Sequence, residues 1–448
     1  MLTKEQVLDI VKKEKIEFIR VEFLDYAGVT RGRTVRPEQL KDAMDKGINF
    51  STAIMSFDVF DEYIPNPTYG SNDGDFFAVP DPATFAIVPY RRNTARMLCD
   101  LVDVNGDPWP GCPRSALKRL LGEVETLLGG KMYMAFEQEA YLLKEVDGKL
   151  QPADQSNCFS IDGADIQEEF IHRFVHSLEA MGVQTEQISS EFGPGQLEVN
   201  LRYAPALKAA DDQVTFARLF KHIARDLGMV GTLMPKPFQN TAGSGLHVHI
   251  SLYDDGGDNL FEDATDQRGL DMSEKAYHFI GGLLKHGSSL VAIGAPSINS
   301  YKRMQSGSWA PAHICYGAGN RSVLVRIPEK RRSRRFEYRG ADGTSNPYML
   351  AACLVAAGLD GIQNRIDPGE PADFDVTLLN EQQLKEKGIS WMPRSLSQAI
   401  DFLAEDTILA ETIGRSIWEE FIKIKRTEWD KYSRYVSDWE RALFSSRF

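Results

Sequence analysis

Glutamate residues stand in pairs at positions that a β-strand or a hairpin would bring together. Glu137 and Glu139 are two residues apart, so a strand would place both on one face, because side chains alternate along a strand. Glu191 and Glu198 flank Phe192-Gly193-Pro194-Gly195, a sequence typical of a turn. A hairpin at this turn would bring the second pair of carboxylates close together.

Histidine and arginine side chains repeat with the same spacing in two further segments. His247, His249 and Ser251 alternate with apolar residues. Likewise, the run Arg335-Phe336-Glu337-Tyr338-Arg339 places Glu337 and two arginines on one face. Both segments are therefore predicted to be strands with one polar and one apolar face.

If these polar faces meet in one cleft, their carboxylates crowd together with an imidazole and need cations to neutralise them. Oxygen ligands with a single histidine suit Mg²⁺ or Mn²⁺ better than zinc. Guanidinium groups bind phosphates and carboxylates through paired hydrogen bonds. The arginines expected in the same cleft are Arg303, Arg321, Arg326, Arg335 and Arg339. Metal ions beside an arginine cluster are typical of phosphoryl transfer.

Each of these segments also has an ordinary interpretation. A Glu-x-Glu or His-x-His pair on a strand is more often a solvated or structural face than a metal site. The run Arg331-Arg332-Ser333-Arg334-Arg335 is compatible with a basic surface loop. The pattern of residues alone therefore leaves two interpretations open, a metal-dependent phosphoryl-transfer enzyme and a protein with solvated polar strand faces.

The elements that must position these residues can be read from the periodicity of the chain. Strands are predicted near 76–79, 86–89 and 96–103, after a hairpin that turns at Ala27-Gly28. The predicted helices are 3–14, 37–46, Pro113–Leu128, Ile166–Met181 and Ala206–Leu227. The turn-rich stretch that begins at Asn105 marks a boundary. We expect a small unit of residues 1–105 and a large unit of residues 106–448.

Composition excludes several classes of function. The chain has 448 residues and a formal net charge of −13, so it offers no broad basic surface for nucleic acid or anionic membrane. It contains no apolar run long enough to span a membrane. The five cysteines are scattered without a CxxC pair, which argues against a disulfide framework and a zinc site. We expect a cytoplasmic protein.

Ordered motifs extend over nearly the whole chain. They are Gly195-Gln196-Leu197-Glu198 after Glu191, Met234-Pro235-Lys236-Pro237, Gly243-Ser244-Gly245-Leu246-His247, Asn299-Ser300-Tyr301-Lys302-Arg303, Asn320-Arg321-Ser322 with Arg326-Ile327-Pro328, and Arg335-Phe336-Glu337-Tyr338-Arg339 followed by Asn346-Pro347-Tyr348. Together they resemble the motifs of the glutamine synthetase superfamily. The resemblance implies an α+β fold, with a small N-terminal β-grasp domain and a large catalytic α/β domain. It also implies a homo-oligomer, a hexameric ring or a stacked dodecamer, with active sites between subunits.

The resemblance also assigns roles to individual residues. One metal ion would be held by Glu139, Glu191 and Glu198, and another by Glu137, His247 and Glu337. ATP would be bound near Glu186, His249, Ser251, Arg326 and Arg335. Glutamate would be held by Arg303, Arg339 and the Gly243 backbone, and Arg321 would stabilise the transferring phosphoryl group. The implied reaction makes γ-glutamyl phosphate from glutamate and ATP, and a nitrogen nucleophile then displaces phosphate.

The sequence departs from glutamine synthetases proper at the residues that hold ammonium. Ser51 stands where the family has an aspartate, and Trp309 stands at the flap glutamate. Residues 304–325 contain no acidic residue, while Asp58, Asp61 and Glu62 lie near the N-terminal position but at the wrong spacing. Ala242 also replaces an asparagine that helps to hold glutamate.

These departures favour an organic amine over ammonium as the acceptor. A tryptophan wall suits an alkyl or flat group through apolar burial. Polyamines fit less well, because carboxylates would be needed to bind a polycation. The absence of a base that would deprotonate an alkylammonium ion favours an aryl amine, which is already neutral at pH 7. The alternatives are a glutamine synthetase with an unusual ammonium site, a catalytically inert relative, and an altered γ-glutamyl donor. The filled metal-ligand positions argue against the inert relative.

Overall fold

The computed structural model describes residues 2–329 and 334–448. Arg331, Arg332 and Ser333 of the basic run therefore lie outside the described residues. The next residue, Arg334, is buried and donates hydrogen bonds to Asp271 (3.2 Å) and the Pro328 carbonyl (3.2 Å), so this part of the run is not a surface loop.

The first part of the chain forms a mixed sheet with two helices. Its elements are α1 (Lys4–Lys13), β1 (Phe18–Leu24), β2 (Thr30–Val35), α2 (Pro37–Lys46), β3 (Ile48–Ser51), β4 (Asp75–Pro80), β5 (Ala86–Ile87) and β6 (Thr94–Val102), with 3₁₀ turns at Thr52–Ser56 and Pro82–Thr84. The strand order is β2-β1-β6-β4-β3, with β5 also on β6, and β1 and β6 are parallel. The predicted hairpin is confirmed, because β1 and β2 are antiparallel on either side of Gly28, whose φ is +80°.

The rest of the chain is built on a second, larger sheet. Its elements are α3 (Pro113–Leu128), β7 (Lys131–Val146), β8 (Lys149–Pro152), α4 (Ile161–Ile166), α5 (Glu168–Ala180), β9 (Thr185–Ser190), β10 (Gln196–Leu201), β11 (Ala204–Pro205), α6 (Ala206–Asp226), β12 (Val230–Thr232), β13 (Leu246–Tyr253), α7 (Glu274–Lys285), α8 (Gly287–Gly294), α9 (Ser300–Arg303), β14 (His313–Ala318), β15 (Val323–Ile327), β16 (Phe336–Tyr338), α10 (Pro347–Gln363), a 3₁₀ turn (Val376–Leu378), α11 (Glu381–Glu386), β17 (Ser390–Trp391), α12 (Leu396–Glu405), α13 (Thr407–Ile413), α14 (Arg415–Ser433) and α15 (Asp438–Phe444). None of the helices in the described ranges is long and apolar enough to cross a membrane.

The large sheet has the order β17-β14-β15-β16-β13-β7-β10-β9, and the short strands β8, β11 and β12 also pair with β7. The pairs along β7, β10, β13 and β16 are antiparallel, and β14 and β15 are parallel. The apolar side chains of β7 and β13 join the core that contains helix α10, which is buried along most of its length. The polar side chains that alternate with them on β7 and β13 therefore point away from that core, as predicted from the sequence. Helices and two separate sheets make this an α+β protein.

A buried guanidinium group joins the two sheets. Arg114, at the start of α3, donates to Asp211 on α6 (3.0 and 2.9 Å) and to Asp100 on β6 (2.7 Å). It also reaches Asp81 (2.9 Å), which precedes a 3₁₀ turn of the N-terminal part. Because a buried charge is costly unless it is paired, this network fixes the N-terminal sheet against the larger part of the chain.

Candidate active site

Strand register brings the predicted acidic residues into one group on the large sheet. Phe136, Gln138 and Ala140 of β7 are buried, so Glu137 and Glu139 project from the opposite face. His247 on β13 is directly opposite Glu137 in the antiparallel pair. On the other side of β7, Glu198 of β10 is opposite Glu139 in the same way.

Glu137, His247 and Glu337 form a compact triad. One ligand atom from each lies within 4.8 Å of the others. His247 Nδ1 is 3.0 Å from Glu137 Oε1 and 3.4 Å from Glu337 Oε1. Two carboxylates and one imidazole at this spacing can share a metal ion. We call this triad, with Glu139, Glu191 and Glu198, the carboxylate face.

Positive groups already surround the most buried carboxylate of the triad. Arg326 Nη1 donates to Glu337 Oε2 at 2.8 Å, and Arg339 donates to its other oxygen. Burial opposes ionisation, but Arg339, His247 and His249 outweigh it and lower the pKa of Glu337 to about 2. For Glu137, burial is likewise outweighed by hydrogen bonds with His247 and His249, and its pKa falls well below the ordinary value.

In Glu198 and Glu191, burial and neighbouring negative charges prevail instead. Burial, together with the charges of Glu137, Glu139 and Glu191, raises the pKa of Glu198 to about 10. Burial and the charge of Glu139 raise the pKa of Glu191 to about 7. Mutual repulsion of this size is relieved when a cation binds between the carboxylates. The triad therefore fits a divalent metal ion, and its oxygen-rich ligand set favours Mg²⁺ or Mn²⁺ over zinc. In the described part of the chain, the ligand atoms of Glu139, Glu191 and Glu198 do not come together at the spacing of the triad.

Amide side chains that the sequence interpretation missed complete the carboxylate face. Asn200 Nδ2 donates to Glu137 Oε2 at 3.3 Å. Gln196 Nε2 lies 3.5 Å from Glu139 Oε2 and donates to the Gly243 carbonyl at 3.0 Å. Both amides are two residues from Glu198 on β10, so the same alternation that identified the carboxylates could have identified them.

The predicted ATP-binding residues divide into two groups. His249 Nε2 lies 3.2 Å from Glu137 Oε2, and its Nδ1 accepts a hydrogen bond from Arg335 Nε at 3.2 Å. Together with Arg326, these residues adjoin the triad. Ser251 is buried further along β13, and Glu186 is exposed on β9.

The predicted glutamate-binding residues lie next to the triad. Arg303 is buried and donates to the Ala341 carbonyl (3.1 Å) and the Arg339 carbonyl (3.5 Å). A Cβ atom at Gly243 would lie 2.6 Å from Arg303 Cγ, so only glycine permits this approach. The structure thus brings Gly243, Arg303 and Arg339 together.

Trp309 extends the site towards solvent. Its φ is +61°, its side chain is 67% exposed, and Arg339 Nη2 donates to its carbonyl at 3.3 Å. Its ring centroid lies 6.2 Å from that of Phe192, which is 64% exposed in the β9–β10 turn. Ser51, the other predicted acceptor residue, is exposed at the end of β3 in the N-terminal sheet.

The three acids that lie near Ser51 in the sequence have other partners. Lys431 pairs with both Asp58 and Glu62. Arg31 pairs with Asp61 at 2.6 Å. The ion pairs with Lys431 connect the N-terminal part to α14. All three carboxylates are therefore used in structural ion pairs.

A cleft of about 620 Å³ opens beside Trp309. Its lining includes Arg321, which is exposed, and Phe374. Three acidic residues line it as well: Glu329, Asp373 and Asp375. The sequence interpretation missed Phe374 and these acids, because they lie outside the flap in the chain. We call this space the Trp309 cleft.

Known proteins resemble the chain over almost its full length. The family model for the glutamine synthetase N-terminal domain matches residues 3–109, and the model for the glutamine synthetase catalytic domain matches residues 110–444. A glutamate–methylamine ligase of Methyloversatilis universalis is 35% identical and covers 98% of both chains. A glutamine synthetase of Methanococcus maripaludis is 34% identical, over 97% of this chain and 98% of its own. The solved complex of GmaS with ADP has a TM-score of 0.87 at 32% identity, over 98% of this chain and 99% of its own.

Proposed function

The chain belongs to the glutamine synthetase family, and within it we propose an ATP-dependent ligase that joins the γ-carboxylate of glutamate to an organic amine. The relatives do not separate the possible acceptors, because a methylamine ligase and a glutamine synthetase are equally similar to the chain. The proposal therefore depends on the residues that would meet the amine.

The exposed indole of Trp309 is the observation that carries the proposal. In place of a carboxylate, the flap presents a tryptophan that faces Phe192, and residues 304–325 contain no acid. Ammonium has no apolar part and gains nothing from an aromatic wall. An alkylamine can bury its carbon atoms there, and a cationic amine is also attracted to the ring face.

The carboxylate face supplies the metal-binding part of the proposed site. Glu137, His247 and Glu337 would hold one Mg²⁺ or Mn²⁺ ion. Glu139, Glu191 and Glu198 would hold another. The bound ions would neutralise charge on the phosphates of ATP.

The remaining polar residues orient the substrates. Glu186, His249, Ser251, Arg326 and Arg335 are proposed to hold ATP. Gly243, Arg303 and Arg339 would hold glutamate, so that a γ-carboxylate oxygen attacks the terminal phosphorus in line and ADP leaves. Arg321 would stabilise the charge on the transferring phosphoryl group. The amine nitrogen then attacks the acyl carbon of γ-glutamyl phosphate, a carbon–nitrogen bond forms, phosphate departs and the nitrogen loses a proton.

We also propose how the chain is organised around this site. Residues 1–105 would form the N-terminal domain and residues 106–448 the catalytic domain. In a hexameric ring or stacked dodecamer, Ser51 of one subunit would face the Trp309 cleft of its neighbour. The five cysteines, all free thiols, suit a cytoplasmic location.

The test is ATP- and glutamate-dependent phosphate release across a panel of amines. The panel is ammonium, methylamine, isopropylamine, ethanolamine, putrescine and aniline, each assayed with Mg²⁺ and with Mn²⁺. We expect an organic amine to have the highest kcat/KM. Ammonium as the best nucleophile would overturn the proposal and favour the second candidate, a glutamine synthetase, which the 34% identity to the Methanococcus maripaludis enzyme supports.

A catalytically inert relative is distinguished by a binding measurement. If the carboxylate face holds metal and nucleotide, Mg²⁺ or Mn²⁺ with ATP raises the melting temperature. No increase with either ion, together with no phosphate release, would favour the inert relative.

A further inference from the structure

Lys236 and Asn299 belong to two of the ordered motifs, yet neither has a role in the proposed site. Lys236 lies in the segment between β12 and β13, and Asn299 directly precedes α9. Asn299 Oδ1 accepts a hydrogen bond from the Lys236 amide at 2.7 Å, and Asn299 Nδ2 donates to the Lys236 carbonyl at 3.1 Å. One side-chain amide therefore satisfies both backbone polar groups of Lys236. We call this pair of residues the Asn299 clasp.

The side chain of Asn299 is not used at the start of its own helix. An asparagine before a helix commonly accepts a hydrogen bond from the first helical turn. Asn299 makes no such bond, and Ser297 and Ser300 fasten the start of α9 instead. The Ser297 hydroxyl accepts from the Ser300 amide (3.1 Å), and the Ser300 hydroxyl accepts from the Ser297 amide (3.2 Å). The side chain of Asn299 is therefore available to fix a segment 63 residues away in the chain.

Lys236 in turn holds the loop that carries Gly243. Its ammonium group donates to the Thr241 carbonyl. The carbonyl of the preceding residue, Pro235, accepts a hydrogen bond from the Ser244 amide at 2.8 Å. The segment that Asn299 binds is thus tied to the loop on both sides of Gly243.

Helix α9 places Arg303 so close to the same loop that only glycine fits at two positions. A Cβ atom at Gly243 would lie 2.6 Å from Arg303 Cγ and 2.8 Å from the Pro235 oxygen. A Cβ atom at Gly245 would lie 2.4 Å from Arg303 Nη2. Among the described residues, the buried guanidinium donates only to carbonyl groups, and burial lowers the pKa of Arg303. A substrate carboxylate would supply a countercharge there.

We propose that Asn299 and Lys236 are positioning residues for glutamate, because they fix α9 against the Gly243 loop. Arg303 and the Gly243 backbone, which would hold the substrate, then keep a fixed separation. This inference rests on the proposed function and extends its glutamate site to two residues that would act through others. A preorganised site loses less conformational freedom when the substrate binds, so the clasp should strengthen glutamate binding and leave the chemical step unchanged.

The clasp also bears on the departure from the family at Ala242. The asparagine that the family has there helps to hold glutamate, and alanine offers no side-chain hydrogen bond. The loop is nevertheless fastened through its backbone, because side chains donate to three successive carbonyl groups. They are Lys236 to Thr241, Tyr141 to Ala242 (2.7 Å) and Gln196 to Gly243 (3.0 Å). Glutamate binding would therefore depend on the backbone position that the clasp maintains.

The test is the KM for glutamate of variants that open the clasp. Asn299→Ala removes both hydrogen bonds to Lys236, so we expect this KM to rise about tenfold. The kcat at saturating glutamate and the KM values for ATP and the amine should stay within about twofold of wild type, because the reacting groups are untouched. An unchanged KM for glutamate in Asn299→Ala would overturn the inference.

Variants of Lys236 separate positioning from direct binding of the substrate. Lys236→Met removes the donor to the Thr241 carbonyl and should raise the KM for glutamate about fivefold, whereas Lys236→Arg keeps a donor and should stay within about twofold of wild type. The double variant Asn299→Ala with Lys236→Met should exceed Asn299→Ala only slightly, since the two links act in series. Effects that multiply, or a loss in Lys236→Met alone, would mean that Lys236 acts without the clasp and would contradict the inference.

Asparagine variants elsewhere in the chain are the controls. Asn364→Ala removes a hydrogen bond to Asp360 (2.8 Å) at the end of α10 and should keep the wild-type KM for glutamate. Asn320→Ala, in the Trp309 cleft, should change the KM for the amine and leave that for glutamate unchanged. A similar rise of the glutamate KM in all three asparagine variants would assign the loss to general destabilisation. If Asn299→Ala does not fold, the contrast between Lys236→Met and Lys236→Arg decides.

The outcomes also separate this inference from the proposed function. If ammonium is the best acceptor, the proposed function fails, but the KM for glutamate is still measured with ammonium. If an organic amine is the best acceptor and Asn299→Ala keeps the wild-type KM for glutamate, only the clasp inference fails. Absence of phosphate release with every amine would overturn both.

Discussion

The carboxylate face and the Trp309 cleft adjoin each other, but they are built in different ways. Except for Glu191 in the turn after β9, the carboxylate face lies on β7, β10, β13 and β16, where backbone hydrogen bonds set the register of the side chains. The Trp309 cleft is lined by loops and by the segment around Asp373, and side-chain hydrogen bonds such as those of Asn320 hold it in shape.

This difference matches the two parts of the proposed reaction, phosphoryl transfer and recognition of the acceptor amine. Chemistry at phosphate requires charges held in fixed positions, and a sheet provides them because the strands cannot slip without exposing their apolar sides. In the proposed reaction, recognition of the acceptor amine is separate from phosphoryl transfer, and loops can change without disturbing the sheet. Damage to the carboxylate face should therefore abolish activity with every acceptor, whereas damage to the cleft should change the preference among acceptors.

The largest effect is expected at Glu337. Glu337→Gln removes one member of the triad and leaves Arg326 and Arg339 without a full countercharge. We expect kcat to fall by about 10³ with every amine. Loss of a buried ionic partner should also lower the free energy of unfolding by about 3 kcal/mol. Initial rates of ADP formation and denaturant unfolding measure the two effects, and Glu370→Gln, at an exposed acid outside the cleft lining, is the control. A kcat of Glu337→Gln within tenfold of the wild-type value would show that Glu337 takes no part in the reaction.

The next effect is the response to Mn²⁺. Metal-free wild-type protein should gain about 2.7 kcal/mol of stability at a Mn²⁺ concentration of 100 Kd. Glu198→Gln should lose most of this gain, because it removes a charged oxygen from the group Glu139, Glu191 and Glu198. Asp373→Asn, in the cleft, should retain it. Melting curves with EDTA and with Mn²⁺ provide the measurement, and an unchanged gain in Glu198→Gln would place the metal elsewhere.

The same contrast explains what the sequence could predict. The alternation of polar and apolar residues predicted that Glu137, Glu139, His247 and Glu337 lie on the polar faces of their strands, because side chains two residues apart share a face in a strand. The hairpin between Glu191 and Glu198 followed from a local turn sequence and is confirmed by the pairing of β9 with β10. Helix α3 was predicted with its observed bounds, since a proline and a glycine mark its ends.

The cleft could not be read from the sequence in this way. Its shape depends on Asn320 reaching the Ala372 carbonyl 52 residues further along the chain, and no local pattern records that contact. Consequently, the acid-free flap predicts an acceptor site without carboxylates, whereas Glu329, Asp373 and Asp375 line the cleft beside Trp309. Asp58, Asp61 and Glu62, which lie near Ser51 in sequence, are instead used in ion pairs with Lys431 and Arg31.

A moderate effect on acceptor choice is expected at Trp309. Trp309→Ala should lower kcat/KM for butylamine by about tenfold, because the apolar surface that buries the alkyl chain is lost. Ammonium, with no carbon to bury, should change by less than twofold. Combining Trp309→Glu with Ser51→Asp should raise kcat/KM for ammonium, since both acidic positions are then filled. Equal losses for ammonium and butylamine in Trp309→Ala would mean that the residue acts on the phosphoryl step instead.

The smallest effect should come from substitution of Asn320, which lines the Trp309 cleft and connects two of its segments but would not contact the reacting atoms. Asn320→Ala removes the hydrogen bonds to the Ala372 and Phe374 carbonyls and those that Asn320 Oδ1 accepts from the Ser322 amide and hydroxyl, each worth about 1 kcal/mol net. We expect KM for the organic amine to rise about fivefold as the wall of the Trp309 cleft loosens, while the stability gained from Mn²⁺ stays at the wild-type value.

Asn364→Ala provides the matched control for Asn320. Asn364 Nδ2 donates to Asp360 Oδ1 (2.8 Å) at the end of α10, so its loss removes an asparagine hydrogen bond away from the cleft. If both variants raise the KM of the organic amine equally, general destabilisation is the cause, and the hydrogen bonds of Asn320 have no specific role in the cleft. If only Asn320→Ala does so and the Mn²⁺ response is kept, acceptor recognition depends on loop contacts that can change independently of the sheet.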